Sequence, residues 1–356
     1  MRILYISLSV AFLSLCIFSC RKTSPTNTVQ DLPVYTDSSY LHFFAQNTGI
    51  TAGTGASSIP LSDGTVLWLF GSSHSNDFNL LNQTIACQPN LHNAAMLQNG
   101  NQITSINTST DFIPSSISST WYEPLHGYQF GDTVFIFVKK FTPSIQSKTY
   151  VAKFSFPSLS FIKVDSFSTN QSIYGYSVIA DTSEGFCYVY GAKPIGNEYA
   201  IYMLRYPMNN MYALWDYRAG DIWLNPPSSA VAIETSPSEF FSIIKLRSKF
   251  VLFTKEQGDV CNSGQHVYSS LSSYPYGPFL NAKTIFTASE KLYGATPIIS
   301  KIAMHKQSIA ENALLVTYAT NGFDPCFSLC NNNEKSPDFY RVKSIRIPLR
   351  NIDPSW

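Results

Sequence analysis

SDGTVLWLFGSS, residues 62–73, carries the pattern that decides the fold: a turn, a strongly apolar run and a polar exit. It returns as FGDTVFIFVKK at 130–140, SEGFCYVYGAK at 183–193, RSKFVLFTKE at 247–256 and ENALLVTYATN at 311–321. Each run is too short for a helix and is rich in β-branched and aromatic residues, so it reads as a strand. The apolar cores begin near 67, 134, 188, 251 and 315, which gives gaps of 67, 54, 63 and 64 residues. Such a period marks a repeat architecture. A further strand precedes each run: ASSIPL at 56–61, TWYEPLHGYQF at 120–130, YGYSVIAD at 174–181, EFFSIIKL at 239–246 and YGATPIIS at 293–300. A four-stranded blade takes about 40–50 residues in compact propellers, and longer loops raise that. The expected fold is therefore all-β, a five-bladed β-propeller with the first strand of each pair innermost.

Antiparallel pairing places the start of each first strand and the end of each second strand on one face. That face is expected to gather Thr54, the loop 71–77, Trp121 to Glu123, Lys139, Tyr174, Tyr176, Glu239, Tyr293 and Thr296. Loops from every blade converge there, so it is the natural place for a ligand site.

The ends of the chain read differently. MRILYISLSVAFLSLCIFSC has a basic start and an apolar run, Ile3 to Phe18, too short to span a bilayer comfortably. It reads as an export signal. Ile17-Phe18-Ser19-Cys20 resembles a bacterial lipobox, which implies a signal peptide over 1–19 and lipidation of Cys20. Residues 20–39 are polar, with prolines at 25 and 33, and read as a tether, leaving 40–356 for the propeller. The expected location is the bacterial cell envelope, at the outer membrane, held through lipid on Cys20.

With net charge +1, 13% charged residues and no basic stripe, nucleic acid is not an expected partner. Beyond Cys16 and Cys20 the cysteines are Cys87, Cys187, Cys261, Cys326 and Cys330, and the short loop between Cys326 and Cys330 suits a bond between those two. No CxxC or HxxxH occurs, so the motifs suggest no metal site and no cofactor. The central channel leaves room for a structural calcium or sodium ion.

GASSIPLSDGTVLWLFG, YGYSVIADTSEGFCYVYGA, LWDYRAGDIWL, SSYPYGPF and LLVTYATN followed by YRVKSIRIPL resemble five-bladed, glycosidase-like propeller families described as domains of unknown function, related in architecture to the arabinanase and fructosidase clans. The resemblance covers about residues 45–350. It implies an aspartate before the first inner strand, another after the LWLFG strand, and a histidine before the proline of the last inner strand. Those positions read Thr54, Ser72 and Thr296. Glycoside hydrolysis needs two carboxyl groups across the scissile bond, about 5 Å apart for retention and about 6.5–9.5 Å for inversion. Serine and threonine supply neither the charge nor the proton. The substitute acids are Glu123, Asp77 and Glu239.

Ser72, His74, Asn93, Trp121, Tyr122, His126, Tyr174, Tyr176 and Tyr293 complete the expected ligand-binding set. Aromatic faces stack on the C–H faces of sugars while hydroxyls reach polar neighbours. Each of these residues has a plainer use in packing or in turn hydrogen bonds. The expected function is carbohydrate binding at the envelope with hydrolysis weak or lost. An active hydrolase with a non-standard carboxylate pair is the first rival, and a protein-interaction scaffold is the second.

Overall fold

The computed structural model describes residues 31–142, 148–258, 263–291, 296–321, 330 and 333–356. Five sheets form the blades of a propeller. Blade I comprises Ser57–Pro60, Val66–Phe70, Ala94–Asn99 and Gln102–Ile106, and blade II comprises Trp121–Phe130, Thr133–Phe141, Lys148–Ser155 and Phe161–Ser168. In blade III, Ile173–Asp181, Phe186–Ile195 and Glu198–Pro207 lead to the short strands Asp216–Ala219 and Ile222–Leu224, while Glu234–Ser236 pairs beside Glu198–Pro207. Blade IV comprises Phe241–Leu246, Lys249–Lys255, His266–Ser272 and Leu280–Thr287. Blade V comprises Ile298–Ala310, Ala313–Asn321 and Lys343–Pro348, and Tyr35–Thr36 from the other end of the chain adds its outermost strand. That last pairing joins the two ends of the ring.

The five first strands pack on one another in sequence around the axis, and the strand of blade V closes onto that of blade I. The five repeated apolar runs are the second strands, as the periodicity predicts. Their continuous apolar character has a physical cause. Each lies inside a sheet with a neighbouring blade on both faces, so alternation is lost: Leu67 to Phe70 and Phe250 to Phe253 are all buried. Five apolar seams result, one per blade boundary. Burying each Leu, Ile or Phe there contributes about 1.5–3 kcal/mol. Trp215 fills a gap between blades, stacking on Phe167 of blade II at 4.4 Å.

The pairing expected between Cys326 and Cys330 is corrected: Cys330 is bonded to Cys87. The two-residue strands Ile85–Ala86 and Glu334–Lys335 pair beside it and bring the two cysteines together. Cys326 and Cys261 lie outside the described residues, and Cys187 is a buried free thiol. Cys20 also lies outside the described residues. Among the described residues no helix is long and apolar enough to cross a membrane.

Candidate functional site

Three irregularities in the inner ring build the cavity. Opposite Phe137, blade II inserts Leu125 and His126 between the paired residues Pro124 and Gly127. Blade III skips Gly175 and Tyr176 between Tyr174 and Ser177. Blade V sets Lys301 and Ile302 against the single residue Tyr318. Such bulges break the pleat and re-aim side chains. All of the extra residues except Gly175 line the axial cavity, together with Thr54, Gly71, Phe240, Phe241 and Met304. Gly175 sits at φ +115 with Phe137 against it, so the blade III bulge needs a residue without Cβ.

Two acid–lysine clusters sit at the mouth. Thr54 donates its N–H to the carbonyl of Ser72, and Gly71 donates to that of Thr54, which pins the start of blade I to the end of its second strand. Into this corner Lys301 reaches from blade V. Its ammonium donates to Thr54 Oγ1 at 3.1 Å and pairs with Glu123 of blade II. A Cβ on Gly71 would fall within 3.0 Å of Lys301 Nζ, Thr54 Oγ1 and Glu123 Oε1 together, so the cluster needs glycine there. Burial pulls the Lys301 ammonium down to about 7.

The second cluster centres on Glu239. Its Oε2 accepts from Lys139 Nζ at 2.9 Å and from the Tyr176 hydroxyl at 2.7 Å. Burial, and then the Glu239 charge, holds the Tyr176 hydroxyl far above its ordinary value. Lys255 lies close enough for the charge of Glu256, and then that of Glu239, to offset part of its burial, which brings it down to about 8. The clusters are linked, because Lys139 is the cross-strand partner of Glu123. Directly opposed residues of an antiparallel pair stand about 4.5–5.5 Å apart at Cα and share a face.

Glu123, Glu239 and Tyr176 are thus brought to one mouth. His126 lines the cavity wall, where its Nδ1 accepts from the Val178 amide at 3.2 Å and burial pulls its pKa down to about 4. Asp77 is elsewhere. It accepts from Thr51 at 2.9 Å and pairs with His74 at 2.6 Å, against the strand Ile50–Gly53. Burial raises its carboxyl, but the hydrogen bonds from His74 and Thr51 together outweigh that and leave it below the ordinary range. Neither Asp77 nor His74 lines the cavity.

Several expected ligand residues are occupied in packing. His74 is wholly buried against Tyr340. Asn93 is buried, donating to the carbonyls of Ile113 and Tyr122 and accepting from the Ile113 amide. Tyr174 is fully buried in the seam between blades II and III, with its hydroxyl on Asn170. These three are corrected from ligand contacts to fold-holding groups, because no face of them reaches the cavity. Tyr122 leans on Tyr150 in the seam between blades I and II. Trp121 stands at the rim, but His92 at 5.0 Å and Phe141 at 5.3 Å both lie flat on its indole. Ser72 contributes its carbonyl to the Thr54 corner and is half-buried. Tyr293 lies outside the described residues.

The residues missed from the sequence are Lys301, Phe240 and Phe241. Lys301 had a signal: it is the lone charge in PIISKIAM, an otherwise apolar run. Among the described residues no group of three histidine, cysteine, aspartate or glutamate side chains is placed to hold a metal ion.

Solved structures share this architecture. A protein of Bacteroides ovatus provisionally described as a hydrolase is 18% identical, with TM-score 0.73, over 88% of this chain and 90% of that one. An exo-β-1,3-galactanase of Phanerochaete chrysosporium, solved with β-1,3-galactotriose, is 12% identical with TM-score 0.51; the match covers 90% of this chain and 64% of that one. The catalytic domain of a Coprinopsis cinerea GH62 α-L-arabinofuranosidase is 9% identical with TM-score 0.51, over 84% of this chain and 91% of that one. At these identities the likeness carries the fold, which is that of the arabinanase-like glycosidase propellers. No curated protein matches the chain. The family model described as a domain of unknown function, DUF5005, matches residues 37–350, and the chain belongs to that family.

Proposed function

We propose that this propeller binds carbohydrate at the cell envelope, anchored through lipid on Cys20, with hydrolysis weak or absent. One observation carries the reading: the two acids at the mouth, Glu123 and Glu239, are each committed to a lysine, Lys301 and Lys139. Among the described residues no carboxylate lines the cavity beneath them. The acid and nucleophile roles each need a carboxyl oxygen free to meet the substrate, and an oxygen taken up by a lysine ion pair is not free. The cavity keeps the elements of a sugar site. Tyr176, Phe240 and Phe241 give an aromatic wall, and Thr54 and Lys301 give polar groups beside it. The test is a glycan array followed by product analysis on every glycan bound. Binding without turnover, unchanged in Glu123→Gln, supports the reading. Turnover abolished by Glu123→Gln would overturn it in favour of hydrolysis.

That second reading has its own support. Glu123 faces Lys139 across the hairpin, and Lys139 pairs with Glu239, so two carboxylates of different blades share one mouth. A substrate that displaced the two lysines would leave the pair that glycoside hydrolysis needs. The anchor is tested separately, by metabolic labelling with an alkynyl fatty acid: label is incorporated in the native chain and lost in Cys20→Ala.

A further inference from the structure

The chain enters the propeller on the face opposite the cavity mouth. Leu32 donates its N–H to Asn351 Oδ1 at 2.8 Å, and Asn351 Nδ2 donates back to the Leu32 carbonyl at 2.6 Å. Asn351 follows Pro348, which pairs with Ala313 just beyond the turn Glu311–Asn312. That turn ends the inner strand of blade V, at the far end from Ile298, where the mouth lies.

A cleft opens beside this entry point, lined by Leu32, Tyr35, Arg247, Glu311, Arg350 and Trp356. Arg247 sits 5.6 Å from the Trp356 ring centre. Neither Arg247 nor Arg350 forms an ion pair among the described residues, and Glu311, the one acidic side chain among the cleft residues described, pairs with neither. The cleft therefore holds two guanidiniums that no side-chain carboxylate pairs among the described residues. Tyr274 and Leu280, which bound the loop between the third and fourth strands of blade IV, are exposed on the same face, as is Ile309 near the end of the blade V inner strand.

We propose that this face lies on a lipid bilayer and that the Arg247–Arg350 cleft takes the phosphate of an anionic lipid headgroup, with the cavity mouth turned away from the membrane. The proposal rests on lipidation of Cys20. Residues 21–31 then separate the anchor from Leu32. They span at most about 40 Å when extended and about 20 Å as a flexible coil. So short a tether keeps the entry face at high effective concentration near the bilayer, and a modest headgroup contact suffices to orient the disc. Arg21 and Lys22, next to the anchor, add to the attraction. Guanidinium forks suit phosphate oxygens, and Leu32, Tyr35 and Trp356 supply apolar and amphipathic groups for the headgroup boundary.

The test uses the unlipidated chain from Arg21 to Trp356, which retains every strand of the five blades. It is sedimented with vesicles of phosphatidylcholine alone and of phosphatidylcholine with phosphatidylglycerol. The expected result is binding to the anionic vesicles that falls as salt is raised. Each arginine near such a surface contributes about a factor of five, so Arg247→Gln with Arg350→Gln lowers affinity about thirtyfold. Glu311→Gln strengthens it severalfold. Equal binding to both vesicle types, or no effect of the double substitution, overturns the proposal. So does a cleft that binds inorganic phosphate while the chain ignores vesicles, or a dimer broken by Arg247→Gln. Fatty-acid labelling of Cys20 reports the anchor independently: label present without vesicle binding sinks the face alone, and vesicle binding without label sinks the anchor alone.

Discussion

Lys301 is the residue on which the cavity turns. It fills the corner between Thr54, Gly71 and Glu123. Removing one partner of such a pair leaves a poorly solvated charge. Fully buried pairs broken this way cost about 3–5 kcal/mol. Here each side chain keeps some exposure, 19% for Lys301 and 17% for Glu123, so Lys301→Met should cost less, about 1–3 kcal/mol. The double variant Lys301→Met, Glu123→Gln is expected to recover much of that loss. Denaturant unfolding of the four proteins measures the coupling, and strict additivity would show that the ammonium and carboxylate do not interact. Gly71→Ala attacks the same corner from the backbone side. Its methyl meets three polar atoms at once, so a cost of about 1–3 kcal/mol and weakened glycan binding are expected. Unchanged unfolding and unchanged affinity would mean that the corner is open.

At the level of elements, the fold is legible in the sequence where periodicity is strong. The five apolar runs were legible because a strand buried on both faces cannot hide its composition. The bulges were not. Nothing in YGYSVIAD or PIISKIAM counts hydrogen-bonded partners, and a single slipped residue decides whether Tyr176 and Lys301 face the axis or the seam. For the same reason Tyr174 and Tyr176, two residues apart, carry the same signal in the sequence, yet the bulge between them sends one to the core and the other to the cavity. Residues 71–77, which open the long loop 71–91, are expected on the mouth face, but the partners of Asp77 and His74 are not legible there. Asp77 pairs with His74 Nδ1 and accepts from Thr51, an arrangement that depends on the strand Ile50–Gly53, which the repeat does not contain. The Cys87–Cys330 bond was equally hidden, since the spacing of 243 residues carries no signal. It ties that loop to the segment leading into the third strand of blade V. Cys87→Ser is expected to lower stability by about 2–5 kcal/mol in oxidising buffer. Thermal unfolding with and without reductant measures this: reductant should lower the native midpoint and leave that of the variant unmoved. A native midpoint insensitive to reductant would show that the bond adds nothing.

The whole molecule is a ring, and its inner strands carry two imidazoles, one partly buried at the cavity and one wholly buried between blades V and I. His126 stands on the inner strand of blade II and His305 on that of blade V. His305 bonds Ser58 Oγ at 2.6 Å and Thr317 Oγ1 at 2.8 Å, so it ties blade V to blade I. Burial pulls His126 down to about 4, with the Lys306 charge helping, and pulls His305 down to about 3, helped by His126 and Arg346. An unfolded chain binds protons at these sites near the ordinary value of 6.5. Between about 4 and 6.5 the unfolded state therefore carries more protons than the folded one, and stability rises with pH across that window. Acidification from pH 6.5 towards 4 should thus lower the thermal midpoint steadily, with a slope approaching about two protons. The carboxylates held low by their partners, Asp77, Asp181 and Asp353, act below about 3.8, and Lys301 acts between about 7 and 10.5, so neither group obscures the histidine window. His305→Gln, which retains a hydrogen-bonding side chain, should flatten the slope by about one proton while lowering the plateau near neutral pH. A native midpoint that stays level from pH 6.5 to 4 would mean that the imidazoles charge freely in the fold, and that the ring is looser at its axis than five mutually packed strands imply.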